Sequence, residues 1–189
     1  MSATARVLQR TGITANQLTV LGFFIGLLSV VALAMGHTFL ALLLLLCNRL
    51  IDGLDGELAR LTSPTEEGSF LDITLDFVFY AAFPLGFAVL DPQANALPAA
   101  FLVASFVATG ASFLAFASQA EKRNIKSPDF AYKGLYYLDG LAEGTETIAC
   151  FVLMCLFPQH FVAIAWLFAS VCIITAINRV YFGYRTLRA

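Results

Sequence analysis

The sequence predicts an all-α integral membrane protein with six transmembrane helices and both termini in the cytoplasm. Composition is the first reason: 59% of the 189 residues are hydrophobic and 13% are charged, whereas soluble domains carry about 25% charged residues. The second reason is three uncharged runs, residues 11–48, 92–120 and 147–178. A membrane-spanning helix needs about 20 apolar residues, so the first and third runs can each hold two crossings.

The individual helices follow from the apolar runs and from the polar residues that end them. We expect helices over residues 17–35, 38–61, 69–90, 97–119, 140–157 and 161–184. Gly36-His37 ends the first helix, and residues 91–95 form the turn after the third. A polar stretch, residues 121–139, follows the fourth helix, and residues 158–160 form the turn after the fifth. The whole chain, residues 1–189, is then expected to be a single membrane domain.

The basic residues determine the predicted orientation. Apart from Arg49, which lies further inside the second helix, every Lys and Arg lies at a helix end, in a connection or in a terminal segment on the side of the termini. None lies in the three opposite turns. By the positive-inside rule, the termini and the 62–68 and 121–139 loops should be cytoplasmic. Residues 1–13 are expected to form an interfacial amphipathic helix, with a disordered tail as the alternative.

Four carboxylates interrupt the apolar pattern at the predicted cytoplasmic face. Asp52 and Asp55 share a face of the second helix, and Asp72 and Asp76 share a face of the third. A short connection makes these helices antiparallel neighbours, so the two faces can meet. Four like charges in a low dielectric need cations, and hard divalent ions prefer oxygen ligands. Room for two ions would suit a phosphoryl group. The alternative is helix capping or salt bridges, with Arg49 or Arg60 as the cation.

These carboxylates belong to a longer pattern. It reads Asp52-x-x-Asp55-Gly56-x-x-Ala59-Arg60, then Gly68-x-x-x-Asp72-x-x-x-Asp76. The pattern resembles the signature of the CDP-alcohol phosphotransferase (phosphatidyltransferase) family. One departure is the spacing between Arg60 and Gly68, which holds seven residues where the family commonly has eight. We expect a tighter turn there, made by Ser63-Pro64.

The resemblance implies a membrane enzyme of phospholipid biosynthesis. It implies that an alcohol hydroxyl attacks the lipid-side phosphorus of a CDP-linked lipid, usually CDP-diacylglycerol, and that CMP leaves. Two Mg2+ or Mn2+ ions would be held by the four aspartates, and Asp76 would also take the proton of the alcohol. Gly56 and Ala59 would lie against the nucleotide. Gly68 would belong to the same donor site, with Arg60 as a phosphate-side or structural partner.

A second, weaker resemblance lies at the start of the first helix. Family members often have Thr-Pro-Asn-x-x-Thr there, and this chain has a similar segment from Thr14 to Thr19 without the proline. Asn16 and Thr19 are therefore candidate contacts of the donor phosphates. A plain helix N-cap is the equally weighted alternative.

The acceptor site is less defined. Lys133, Glu143, Glu146 and Arg179 are the candidates, because they are charged residues at the cytoplasmic ends of the last two helices or in the loop before them. The two glutamates have three interpretations: stabilisation of a helix N-terminus, pairing with Lys133 or Arg179, and contact with the acceptor. If they contact the acceptor, a neutral polyol or an amine-bearing alcohol becomes more plausible than a phosphorylated one.

We therefore predict a phosphatidyltransferase of the bacterial inner membrane whose active site faces the cytoplasm. Its partners would be CDP-diacylglycerol, a small alcohol and membrane lipids, without nucleic acid. A homodimer is expected through the Phe-rich third and fourth helices. One alternative is glycerol 3-phosphate as the acceptor, giving phosphatidylglycerophosphate. Another is a divalent-cation transporter that uses the aspartate cluster, although the third helix beyond Asp76 offers no polar path outward.

Overall fold

The computed structural model describes residues 12–123 and 143–188, and within them it contains helices and no strand. The described residues form six α-helices: α1 Ala15–Ala34, α2 Thr38–Thr62, α3 Glu66–Leu90, α4 Pro92–Lys122, α5 Gly144–Leu156 and α6 Phe161–Arg188. A short 3-10 turn, Pro158–His160, precedes α6. The all-helical prediction with six main helices is confirmed. The predicted interfacial helix falls almost wholly on residues 1–11, outside the described part.

Four of these helices are long and apolar enough to cross a membrane, namely α1, α3, α4 and α6. Helix α2 has 25 residues but carries the charged residues of the aspartate motif. Helix α5 has 13 residues, which at about 1.5 Å per residue is shorter than a hydrocarbon core of about 30 Å. Length and composition therefore confirm four of the six predicted spans.

Three predicted helix starts were wrong, and each has a local cause. Helix α3 begins at Glu66, before the predicted residue 69, because the Thr65 hydroxyl caps it by accepting from the Gly68 N–H at 3.1 Å. Helix α4 begins at Pro92, where a turn was expected, since proline suits the first helical position. Helix α5 begins at Gly144 and not at residue 140, because Glu143 is its extended N-cap residue.

The chain divides into two compact units, and the first of them, which ends at Gln93, contains α1, α2 and α3. Helix α1 packs against both α2 and α3. Gly26 makes this possible, because a Cβ there would lie 2.9 Å from the ring of Phe79 on α3. Gly36 turns the chain between α1 and α2 with a φ of +81°, a conformation that glycine adopts without strain. The aspartate motif lies wholly within this unit.

The second unit begins at Ala94 and contains most of α4 together with α5 and α6. Aromatic packing joins the three helices: the ring of Phe106 lies 6.1 Å from that of Phe151 and 6.1 Å from that of Phe168. Its buried polar side chains include Arg179 and Thr109, so this core also has a charged component.

Candidate active site

The structure brings three of the four aspartates together. Carboxylate oxygens of Asp52, Asp72 and Asp76 all lie within 4.8 Å of one another. Helix α2 supplies the first and helix α3 the other two, so the expectation that the two carboxylate faces meet is confirmed for these residues. Oxygen atoms at this separation can share a divalent cation.

Asp55 lies outside this triplet but borders the same space. Its side chain is buried, and its Oδ2 atom has no hydrogen-bond partner within the described residues. Its carboxylate interacts with Thr19 of α1. A buried carboxylate oxygen without a partner is costly, and a bound cation would satisfy it. The chemistry of the four side chains therefore fits hard divalent ions such as Mg2+ or Mn2+.

Arg49 of α2 binds two of the carboxylates. Its Nη1 lies 3.4 Å from Asp52 Oδ2, and its Nη2 lies 3.1 Å from Asp76 Oδ1. The Tyr80 hydroxyl donates to the other Asp76 oxygen, Oδ2, at 3.2 Å. The salt-bridge alternative drawn from the sequence is thus observed for Arg49. Arg60 is exposed and makes no ion pair with a described residue.

A cavity of about 320 Å³ opens beside the carboxylates. Its walls come from the start of α1, the second half of α2, the turn after α2 and the start of α3. The predicted site residues that line it are Asn16, Thr19, Asp55, Gly56, Ala59, Gly68 and Asp72. Arg60 is not among them, although its Nη1 lies 3.7 Å from where a Cβ on Gly56 would be. A Cβ on Gly56 would meet nothing closer, so this wall leaves room for a ligand.

Two helix N-termini line this cavity. Thr14 caps α1: its hydroxyl accepts from the Gln17 N–H at 3.3 Å, while Gln17 Oε1 accepts from the Thr14 N–H at 3.0 Å. Asn16 is therefore not the cap, and its side chain lies close to Gly68, where a Cβ would come within 2.9 Å of Asn16 Oδ1. Thr65 caps α3 through its hydroxyl alone, which accepts from the Gly68 N–H. Helix N-termini carry a partial positive charge that favours phosphate groups.

The connection between α2 and α3 is short and strained. Only Ser63, Pro64 and Thr65 separate the two helices, as expected from the shortened spacing in the motif. Ser63 has a φ of +79° and is the one non-glycine residue of the described chain with a positive φ. Such a conformation costs about 1–3 kcal/mol, and Ser63 and Pro64 belong to the cavity wall.

The acceptor candidates lie in the second unit, except for Lys133, which is outside the described residues. Arg179 is buried, with its Nη2 3.3 Å from Glu143 Oε1 and its Nη1 donating to the Thr109 carbonyl at 3.3 Å. Glu146 Oε2 accepts from the Glu143 N–H at 3.2 Å at the start of α5. Two of the three interpretations of the glutamates, pairing with Arg179 and stabilisation of the helix start, are therefore met.

Sequence reasoning did not identify two residues of the site, Asn48 and Tyr80. The Asn48 Oδ1 atom accepts from Arg49 Nε at 2.7 Å, and its Nδ2 donates to the Gly22 carbonyl at 2.8 Å. A signal was present, because an amide beside an arginine in an apolar run needs a partner. Tyr80 lies one helical turn after Asp76 and so shares its face.

Comparison with known proteins agrees with the residue pattern. The sequence model of the CDP-alcohol phosphatidyltransferase family matches residues 12–177. The chain is 52% identical, over 97% of its length and 89% of the other protein, to "Inner membrane protein YnjF" of Escherichia coli (strain K12). It is 39% identical to the archaetidylinositol phosphate synthase of Pyrococcus horikoshii, over 44% of this chain and 45% of that one.

Solved structures share the fold. The phosphatidylinositol phosphate synthase PgsA1 of Mycobacterium tuberculosis, with CDP-DAG bound, superposes with a TM-score of 0.70 at 22% identity, covering 96% of this chain and 92% of that one. The same protein in complex with manganese and citrate gives a TM-score of 0.66 at 21% identity, covering 96% and 88%. With the aspartate motif assembled in space and the family match across most of the sequence, the chain belongs to the CDP-alcohol phosphatidyltransferase family.

Proposed function

We propose that the protein transfers the phosphatidyl group of CDP-diacylglycerol to the hydroxyl of a small alcohol and releases CMP. The observation that carries this proposal is the carboxylate triplet, within 4.8 Å, in the unit that also holds a cavity lined by Asp55, Gly56, Ala59 and Gly68 of the motif. Family membership supports the reaction class, and the CDP-DAG-bound structural neighbour supports the donor. Neither glycerol 3-phosphate as acceptor nor cation transport is favoured by these findings.

Asp52, Asp55, Asp72 and Asp76 would hold the divalent ions, for which we propose two Mg2+ or Mn2+. The triplet of carboxylates supports this ligand set, as does the Asp55 Oδ2 atom, which has no hydrogen-bond partner among the described residues. One solved neighbour is in complex with manganese. Bound ions would supply positive charge to the diphosphate and to the departing CMP.

The chain itself would bind and orient the donor. Gly56 and Ala59 provide a wall without bulky side chains, and the starts of α1 and α3 provide the partial positive charge of helix N-termini for the phosphates. We retain Asn16, Thr19 and Gly68 as donor contacts because all three line the cavity. We retain Arg60 as a donor-site residue because its side chain lies next to that wall.

Asp76 would act as the base. The alcohol oxygen forms a bond to the lipid-side phosphorus, the bond from that phosphorus to the CMP oxygen breaks, and the alcohol proton passes to an Asp76 carboxylate oxygen. Both oxygens already have donors, Arg49 at Oδ1 and Tyr80 at Oδ2. Each carboxylate oxygen has a second lone pair, so Asp76 can accept the proton while both donors stay in place.

The acceptor alcohol is a finer proposal. Glu143, Glu146, Arg179 and Lys133 remain our candidates for its recognition. The charge of Arg179 is compensated by Glu143, which reduces its capacity to hold an acceptor phosphate and favours a neutral polyol or an amine-bearing alcohol. The two synthases among the similar proteins are named for inositol phosphate lipids. Inositol phosphate must therefore be tested as an acceptor beside the neutral polyols and the amine-bearing alcohols.

We place the protein in the bacterial inner membrane with its active site at the cytoplasmic face. The 52% identity to an inner membrane protein supports the compartment, and the distribution of basic residues supports the orientation. A homodimer is proposed through the Phe-rich α3 and α4.

A product assay tests this function. Purified full-length protein would receive CDP-diacylglycerol, Mn2+ or Mg2+, and one alcohol at a time from a panel of inositol phosphate, glycerol 3-phosphate, inositol, glycerol, serine, ethanolamine and choline. Mass spectrometry of the lipid fraction should show one new phospholipid, formed together with CMP. Metal-loaded, folded protein that makes no new lipid with any of these alcohols would count against the proposal.

A further inference from the structure

Arg49 occupies the position that a cation would be expected to take. Its guanidinium lies between Asp52 and Asp76, at 3.4 and 3.1 Å, and the Arg49 side chain is 17% exposed. Neighbouring carboxylates repel one another strongly when little water separates them. The guanidinium neutralises part of this charge and connects α2 to α3.

Uncharged groups also hold the Arg49 side chain in position. Its Nε donates to Asn48 Oδ1 at 2.7 Å, and Asn48, which is buried, donates to the Gly22 carbonyl at 2.8 Å. The guanidinium carbon lies 5.5 Å from the centre of the Phe79 ring, within cation–π range. A surface arginine rarely has so many fixed contacts, so this geometry is built into the packing of α1, α2 and α3.

The same contacts conflict with metal binding. Asp76 and Asp52 belong to the triplet that would hold the metal ions, yet one oxygen of each is engaged by Arg49. A positive charge held against these carboxylates repels an arriving divalent ion and competes for its ligands. Each of these oxygens has a second lone pair, so the conflict lies chiefly in the repulsion between the guanidinium and a metal ion held at the same carboxylates.

We propose that Arg49 is a resident counter-cation, which keeps Asp52 and Asp76 in place while no metal ion is bound and releases them when one binds. This inference rests on the proposed metal-dependent function. It makes Arg49 a positioning residue with two opposite effects: it stabilises the metal-free protein, and it weakens metal affinity.

Two measurements on the full-length protein test the two effects. In Arg49→Gln, thermal unfolding in EDTA should occur at a lower temperature than in wild type. Mn2+ titration followed by electron paramagnetic resonance should show affinity about tenfold tighter, because a repelling charge has been removed from the ligands. Arg188→Gln, the same change at an exposed residue at the end of α6, should change neither quantity.

A purely structural role predicts a different pattern. It would lower the unfolding temperature in EDTA and in Mn2+ alike and leave the Mn2+ affinity unchanged or weaker, and that result would overturn the inference. Arg49→Lys keeps the charge but loses the planar fork, so its Mn2+ affinity should lie between those of wild type and Arg49→Gln. Where Arg49→Gln fails to fold, a lysine variant that binds Mn2+ no more tightly than wild type overturns the inference.

Mn2+ binding by the wild-type protein distinguishes a failure of this inference from a failure of the proposed function. A folded wild-type protein that binds no Mn2+ would remove the metal-dependent function and the inference with it. A wild type that binds Mn2+ with an affinity unaffected by the Arg49 substitutions would remove only the role of Arg49.

Discussion

Gly26 is the position where one added methyl group should disturb the site from a distance. An alanine Cβ there would lie 2.9 and 3.0 Å from two atoms of the Phe79 ring and 3.2 Å from Asn48 Nδ2. Carbon atoms prefer separations of about 3.5–4.0 Å, so the ring must move by roughly half an ångström or more. Phe79 is buried and packs edge-on against Phe83 at 5.8 Å, which leaves it little freedom.

The expected cost follows from a matched control. A Cβ on Gly53 of α2 would meet nothing within 4 Å, so Gly53→Ala gives the helix-propensity gain of about 1 kcal/mol without a steric penalty. Gly26→Ala gives the same gain and adds an overpacking cost of about 1–3 kcal/mol. The difference between the two variants is therefore that overpacking cost alone.

Thermal unfolding followed by circular dichroism in detergent would measure this difference. At about 2–4 °C per kcal/mol for a chain of this size, Gly26→Ala should unfold roughly 2–12 °C below Gly53→Ala. Because Phe79 supports Arg49 and Asn48 holds it, Gly26→Ala should also alter Mn2+ affinity, while Gly53→Ala should not. Equal unfolding temperatures for the two variants would refute the packing of α1 against α3 described above.

Three further predictions concern single residues. Asp55→Asn removes the charge of a buried carboxylate whose Oδ2 atom has no described partner. It should therefore raise the unfolding temperature in EDTA, and it should abolish transfer. A lower unfolding temperature in EDTA would contradict the first of these results. Ser63→Gly should stabilise the protein by about 1 kcal/mol in chemical or thermal unfolding, because glycine tolerates the φ of +79°. A loss of stability would show that the turn is not strained. Arg179→Met should lower the unfolding temperature more than Glu143→Gln, since Arg179 is buried and also donates to a carbonyl. The reverse order would show that the Glu143 charge beside the buried guanidinium contributes more to stability than the other contacts of Arg179.

The sequence predicts that the carboxylate faces of α2 and α3 meet, because the geometry that brings them together is local. Intervals of three and four residues place Asp52 beside Asp55 and Asp72 beside Asp76 on any helix, and a short connection turns the two faces toward each other. Small residues at Gly56 and Ala59 were expected to leave space, and both line the cavity. These inferences need only helix periodicity and a short connection.

The contacts of Arg49 could not be derived in the same way. Spacing alone allows Arg49 to reach Asp52, three residues along α2, but its contacts with Asp76 and, through Asn48, with Gly22 depend on how α1, α2 and α3 pack. The orientation of its side chain is set by tertiary structure. Two helix starts were missed for a related reason, because the Thr65 hydroxyl and the extended Glu143 determine them more strongly than the apolar pattern does.

The candidate acceptor residues Arg179 and Glu143 lie in the second unit. Arg179 and Glu143 were candidates because they are charged residues near the ends of long uncharged runs, and the structure pairs them with each other. That pairing is sufficient to explain why two charged residues lie among apolar helices, and it requires no ligand. Their role in acceptor choice therefore requires kinetics, in which a specificity effect would change the KM for the alcohol more than that for the donor.

The proposed function requires carboxylates of α2 and α3 to bind metal ions and carry out phosphatidyl transfer. The most direct test is CMP release from CDP-diacylglycerol as a function of Mn2+ concentration, with the acceptor found in the product assay, for wild type and Asp76→Asn. Wild type should release CMP only when Mn2+ is present, and Asp76→Asn should remain folded and membrane-inserted but inactive at every Mn2+ concentration. Near wild-type release by Asp76→Asn, or release by wild type that does not depend on the metal, would contradict the proposed function.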